Sequence, residues 1–249
     1  MRFVAITESS CDVVPLQRLP LIQRNPVGQP RYYWNEARPD LRYNSITSIL
    51  SATQSEATKM ALRRWKAKII AEGGDPDETR DQAAKRGSQI HDWFEQFLLK
   101  QNPEIPEHIA PWCENIIKAP LWKHVDHVVC TEHQVCSDEG LVPFAGTLDA
   151  LIKLNGEFCL FDLKTKAPNK AKPTKQISYE AMCQMQAYRQ CLAENYGIQV
   201  QRLIALYAFP DQPAYPVAAA GADLSRHEDR KSTRLNSSHV SESRMPSSA

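Results

Sequence analysis

Apolar residues in the first half of the chain recur at helical spacing. From Ser55 to Ala71, Met60, Trp65 and Ile69 mark one face and Gly73-Gly74 supply a stop, which predicts a helix. Asp75 as a cap, Pro76 at the first helical position and Glu78 three residues after the cap start a second helix, running to about Lys100. Ile109, Trp112, Cys113 and Ile116 predict a third, shorter one. After Lys123 the period changes to alternation, which predicts a strand over Val125 to Ser137 and then two more on either side of Asn155-Gly156. Ser178 to Tyr196 reads as a helix ended by Gly197, and Val200 to Phe209 is apolar enough for a strand inside a sheet. The chain is thus expected to run as helices, three strands, a helix and a strand, without internal repeats. Residues 1–45 carry Pro15, Pro20, Pro26, Pro30 and Pro39 and are expected to be an irregular lead-in with room for one hairpin.

The central hairpin carries the chemistry. Asn155-Gly156 is a strong signal for a two-residue turn, and if Leu154 and Glu157 flank it, Lys153 faces Phe158, Leu151 faces Leu160, Asp149 faces Asp162 and Thr147 faces Lys164. Period-2 alternation puts these pairs on one face. Opposed residues stand about 4.5–5.5 Å apart at Cβ, so two bare carboxylates there repel unless a cation sits between them. Oxygen ligands of this kind favour a hard divalent ion such as Mg²⁺ or Mn²⁺. Lys164, two residues after Asp162, falls on the same face.

Composition narrows the setting. The 249 residues, 42% hydrophobic, suffice for one substantial core. A formal net charge of +1 gives no global pull on polyanions, so contacts with nucleic acid must come from local patches. Seven irregularly spaced cysteines argue against a secreted disulfide framework, and no C-x-x-C pair suggests structural zinc. No secretion signal or membrane-length apolar run is evident, so a cytoplasmic location and no membrane partner are expected. The tail, from about Gly221, is rich in Ser and charge and is expected to be disordered. Its segment from Arg230 to Ala249 resembles translated sequencing-adapter read-through, which would leave the natural C-terminus missing.

Gly146-x-x-Asp149 followed by Asp162-x-Lys164 resembles the core motif of the PD-(D/E)xK nuclease superfamily. Glu132 on the preceding strand, Arg86-Gly87-x-x-x-His91 on the second helix and Gln184-x-x-x-Tyr188 on the following helix sharpen the resemblance to its RecB-like branch. The group of mitochondrial genome-maintenance exonucleases with their bacterial and phage relatives is especially similar. The resemblance, covering about Tyr43 to Phe209, implies a restriction-endonuclease-like α/β fold, a mixed central sheet flanked by helices and preceded by a helical segment. It implies a nuclease domain over 46–217 between the lead-in and a tail at 218–249. Asp149, Asp162 and Lys164 would then be catalytic, with His91, Glu132, Asp149, Asp162 and Leu163 holding one or two Mg²⁺ or Mn²⁺ ions. Gln184, Tyr188 and Arg86 would contact substrate. The implied activity is metal-dependent cleavage of DNA, as an exonuclease on single-stranded or end-exposed DNA in repair, recombination or replication. Rival readings are a catalytically silent DNA-binding module, a structure-specific endonuclease, and a nuclease module dependent on a helicase or recombinase.

Bland alternatives stand beside these roles. His91 shares a helical face with Ala84, Gly87, Phe94 and Leu98, where a histidine is commonly a satisfied core residue. Gly87 costs about 1 kcal/mol against Ala in a helix and suggests close packing there. Glu132 is either part of the site or half of a peripheral salt bridge, and Tyr188 either meets substrate or anchors the core beside a surface Gln184. Lys166, Lys170, Lys172 and Lys175 fill a Pro-containing loop that either grips phosphates or is merely solvated. Tyr32, Tyr33 and Trp34, preceded by Arg31, offer base stacking or plain packing. Some superfamily members hold an iron–sulfur cluster on four cysteines. With no cysteine after Cys191, none is expected here, and Cys113, Cys183 and Cys191 read as small buried residues.

Overall fold

The computed structural model describes residues 16–26, 28–139, 142–168 and 175–220. Helices fall where periodicity and caps place them. α1 (Ile46–Ala52) is followed by α2 (Glu56–Ala71) and α3 (Pro76–Leu98), whose Asp75 cap accepts from the amides of Asp77 and Glu78. α4 (Ala110–Ile117) follows a short 3₁₀ turn, and α5 (Tyr179–Tyr196) begins at Ser178, which accepts from Ala181 N. Gly197 ends α5 at φ +67°, and the amide of Ile198 reaches back to Leu192 O. That left-handed step is one that glycine adopts without steric cost. α2 differs from the rest: it buries no residue, leaves Met60, Leu62 and Ile70 exposed, and carries Lys59, Arg63, Arg64, Lys66 and Lys68.

The eight strands form one mixed sheet in the order β1-β2-β3-β5-β6-β7-β8, with β4 also paired to β5. They are β1 (Leu21–Arg24), β2 (Tyr32–Asn35), β3 (Arg38–Ser45), β4 (Val125–Ser137), β5 (Phe144–Leu154), β6 (Glu157–Thr165), β7 (Arg202–Ala208) and β8 (Tyr215–Ala220). Two expectations change here. The lead-in, where described, is an antiparallel meander that enters the sheet through β3. Pro26 and Pro30 mask the pattern but sit between β1 and β2, and Pro39 lies at the exposed start of β3, where a missing N–H costs no ladder bond. β8 takes in residues 218–220, assigned above to the tail, while 221–249, including the adapter-like segment, lie outside the described residues.

β5 holds the sheet together, because β4 pairs with it from end to end while β3 and β6 share its other edge. β3 takes Phe144 and Ala145, and β6 takes Ala150 to Leu154. Between them β5 has no strand partner on that edge among the described residues. The turn register is as expected, with Leu154↔Glu157, Lys153↔Phe158 and Leu151↔Leu160, and Asn155 and Gly156 both have positive φ. The ladder nevertheless ends at Ala150↔Phe161, so the expected Asp149–Asp162 and Thr147–Lys164 pairs do not form. Beyond it, β6 follows β7 in parallel through Thr165 and the two hairpin strands fork.

Two cores pack on opposite faces of this sheet. One gathers α1 and α5 over Leu148, Leu151, Leu160 and Leu203; the other gathers α3 and α4 over Ala150, Ile152, Phe161, Leu163 and Leu206. Leu148 and Ala150 are two residues apart yet belong to different cores, so strict alternation slips by one at Asp149. Phe161 anchors the second core, with its ring 5.8 Å from Phe94 and 5.7 Å from Trp122 between centroids. Cys113, Cys183 and Cys191 are buried within the cores. Phe161→Ala is expected to lower unfolding free energy by about 3–5 kcal/mol in urea titration; a loss below about 1 kcal/mol would contradict the anchoring role.

Candidate functional site

The fork between β5 and β6 is where the candidate residues meet. Asp149 fills the place of a missing backbone acceptor, with Oδ2 accepting the amide of Leu163 at 2.6 Å. On the other side of the sheet, α3 brings His91 Nδ1 to 3.6 Å from the same Oδ2. Glu132 on β4 completes a trio with His91 and Asp149, with one ligand atom from each lying within 4.8 Å of the others. Glu132 reaches there at φ +41°, a left-handed conformation rarely adopted by a residue with a side chain. This step lies opposite Asp149, where β5 changes faces. Thr131 beside it is tied to α3 by a hydroxyl donated to Glu95 Oε1 at 3.0 Å.

Asp162 lies on the α5 side of the fork and is buried. Lys164 Nζ donates to its Oδ1 at 2.9 Å and to Gln184 Oε1 at 3.4 Å. The same Nζ lies 2.8 Å from Oδ2 but off the hydrogen-bonding direction, leaving that buried oxygen without an aligned donor. Gln184 in turn donates to Tyr188 Oη at 3.2 Å. Tyr188 is buried, so of the two readings above the core anchor is the one its placement supports, and it touches the fork through Gln184. It stands against Gly146, where an added Cβ would lie 2.5 Å from the tyrosine ring.

The electrostatics match an anionic pocket short of cations. Burial, reinforced by Asp149, Glu95 and Asp92, pushes the Glu132 carboxyl up to about 7. Burial pushes Asp162 up to about 6 against the pull of Lys164. Burial alone would lower Lys164, but Asp162 and Asp149 outweigh it and hold the ammonium charged. A nitrogen and carboxylate oxygens around the fork, with one buried oxygen lacking a donor, suit a divalent cation of the hard class.

The remaining candidates are placed unevenly. Leu163 buries its side chain in the second core and gives its amide to Asp149. Gly87 sits beside Thr165 Oγ1, 3.4 Å from where a Cβ would be, so the close neighbour expected there is the end of β6. Arg86 lies over the Trp112 ring at 4.9 Å, and Trp112 Nε1 donates to Lys166 O at 2.8 Å. Burial and then Lys164 depress the Lys166 ammonium, which faces the Tyr207 ring. Lys170 and Lys172 lie outside the described residues. Glu95 went unremarked in the sequence, although its place one turn after His91 puts it on the same helix face.

Two measurements probe this geometry. Gly146→Ala is expected to destabilise the protein by about 1–3 kcal/mol through overpacking against Tyr188. The same change in a Tyr188→Leu background is expected to cost far less; equal costs would show that the two residues are uncoupled. The raised carboxyls give a sign for pH. A folded pKa above the unfolded 4.5 of Glu132 and 3.8 of Asp162 means stability present at low pH is lost as pH rises toward about 7. Relative to Glu132→Gln, the metal-free protein is therefore expected to lose melting temperature between about pH 4.5 and 7, and a relative gain would reverse the assignment.

The sequence matches the PD-(D/E)XK nuclease superfamily over residues 49–243, well over half of the chain. It is similar to mitochondrial genome maintenance exonuclease 1 of Homo sapiens, 28% identical over 182 residues covering 69% of this chain and 51% of the relative. With the Mus musculus protein of the same name it is 26% identical over 218 residues, covering 82% of this chain and 62% of the relative. The chain thus spans 51–62% of the length of these relatives. A solved structure from Eubacterium rectale, provisionally described as an exonuclease, shares 15% identity over 62% of this chain and 65% of that one, with a TM-score of 0.44. Among the described residues no helix is long and apolar enough to cross a membrane. The forked mixed sheet flanked by helices and the extent of the sequence match agree, and the chain belongs to the PD-(D/E)XK nuclease superfamily.

Proposed function

We propose that this protein is a divalent-metal-dependent deoxyribonuclease, acting as an exonuclease on single-stranded or end-exposed DNA. The observation that carries the reading is the fork, which gathers His91, Glu132 and Asp149 around one point and sets Asp162 and Lys164 beside it. PD-(D/E)XK nucleases generally use divalent metals, and His91, Glu132, Asp149 and Asp162 are the side chains that would hold Mg²⁺ or Mn²⁺ here. When bound, the ion supplies a hydroxide-like water and neutralises charge gathering on the phosphoryl oxygens. The exonuclease part draws on the names of the curated relatives.

The chain's own residues have separable tasks in this reading. An ammonium has three N–H donors, and Lys164 spends one on Asp162 and one on Gln184, leaving one for a phosphate oxygen or the attacking water. Gln184, held by Tyr188, keeps the ammonium from collapsing wholly onto Asp162. In hydrolysis the water oxygen bonds to phosphorus as the bond to the departing sugar oxygen breaks, and that oxygen takes up a proton. Lys164 favours this by staying charged where negative charge accumulates. Arg63 and Arg64 on exposed α2 offer phosphate contacts beyond the fork.

End-labelled single- and double-stranded DNA, incubated with Mg²⁺ or Mn²⁺, is expected to lose label, and a chelator is expected to stop the loss. Asp162→Asn is expected to lower the rate about a hundredfold or more while leaving the fold intact by circular dichroism. DNA binding without cleavage in either metal would sink the proposal in favour of a silent binding module, and cutting of closed circles would replace exonuclease with endonuclease.

A further inference from the structure

An open hollow of about 600 Å³ lies where the N-terminal meander meets α1, lined by Asn25, Pro30, Arg31, Thr47, Ser48 and Ser51. No carboxylate lines it, and Arg31 has none within ion-pair distance among the described residues. The guanidinium is instead fixed by neutral groups. Nε and Nη2 donate to Ser45 Oγ at 3.2 Å, and Nη2 also donates to Thr47 Oγ1 at 2.7 Å. Ser45 is fully buried and Thr47 contacts it at 2.9 Å, so the fork-shaped cation is held on one side. Nη1 has no partner among the described residues. A guanidinium immobilised by hydroxyls keeps its full charge, and Nη1 remains to donate to an oxyanion.

The fold relates this cavity to the fork. Arg31 stands opposite Ser45, Ser45 pairs with Ala145, and Asp149 lies four residues further along β5. Two strand spacings across and four residues along place Arg31 about 16 Å from Asp149. α1 packs on the α5 side of the sheet, where Asp162, Lys164 and Gln184 gather. At about 3.4 Å per nucleotide of stacked strand, that separation is about five nucleotides, and fewer if the strand is extended.

Building on the nuclease reading, we propose that the cavity around Arg31, Thr47, Ser48 and Ser51 binds a phosphate of the substrate strand, remote from the bond being cut. The ligand chemistry is a phosphate mono- or diester, so its source is either the backbone or a phosphorylated strand end.

The test measures binding by fluorescence anisotropy in the full chain carrying Asp162→Asn. It uses a dinucleotide and a single strand long enough to reach from fork to cavity, each with and without a terminal phosphate. Arg31→Ala is expected to weaken binding of the long strand about tenfold and to flatten its logarithmic salt slope by about 0.7, the share of one phosphate. Dinucleotide affinity is expected to stay unchanged. Ser51→Glu leaves the bonds of Arg31 to Ser45 and Thr47 in place and puts a carboxylate at the mouth, so it is expected to act in the same length-dependent way. A loss confined to phosphorylated strands assigns the site to the strand end; a loss on both assigns it to the backbone. Unchanged affinity and salt slope in both variants overturn the proposal, as does an equal loss on the dinucleotide. Failure of the wild-type chain to cut DNA overturns the nuclease reading instead, because the binding measurement needs no cleavage.

Discussion

One hydrogen bond organises the fork: the amide of Leu163 given to the carboxylate of Asp149 rather than to a backbone carbonyl. A strand has two edges, and β5 must serve three neighbours, so β3 and β6 divide one edge and leave a gap. A gap in a sheet interior strands polar backbone groups, each of which costs about 1–3 kcal/mol if left unpaired. Asp149 removes that cost for Leu163 and thereby becomes fixed where β6 turns away. A carboxylate that satisfies a backbone donor is also one whose rotamer is set before any ligand arrives. The same departure takes Asp162 and Lys164 out of the ladder with β5, while the other edge of β6 stays paired with β7 from Cys159 to Thr165.

The two cores then act as clamps on the fork. Phe94, Trp122 and Phe161 hold α3 against one face, which sets His91 and Glu95, while Tyr188 against Gly146 holds α5 against the other and sets Gln184. Charge follows the same division, with Glu132, Asp149, Glu95 and Asp92 repelling one another toward α3 and the ammonium of Lys164 placed toward α5. Burial and these acidic neighbours raise the Glu132 carboxyl, the direction expected of anionic groups crowded together. The left-handed backbone of Glu132 belongs to the same account, since a relaxed strand would turn that carboxylate elsewhere.

Local chemistry made much of this readable from residue order. Asn155-Gly156 set the hairpin register, and Asp75, Pro76 and Gly197 set helix ends, because each signal acts within a few residues. The forking of the hairpin was not readable. It depends on β3, about a hundred residues upstream, occupying part of an edge that the local pattern assigns to β6 alone. The meander was hidden by its prolines, and β8 by the small, weakly patterned residues of Tyr215–Ala220. His91, Glu132, Asp149, Asp162 and Lys164 were all named from the sequence and lie together, and Tyr188, for which the sequence left a substrate contact and a core anchor open, is buried. Burial of a tyrosine four residues from a polar partner is decided by what stands opposite, here a glycine on another strand.

The double duty of Asp149 bears on how this architecture diverges. Asparagine retains a side-chain oxygen able to accept from Leu163 while giving up the negative charge, and one nucleotide change separates the codons. Alanine gives up both. Descendants of such a chain therefore have a short route to a folded protein stripped of its anionic ligand, and no comparably short route that loses the fork but keeps the chemistry. On the nuclease reading proposed above, architecture outlasts activity along that route.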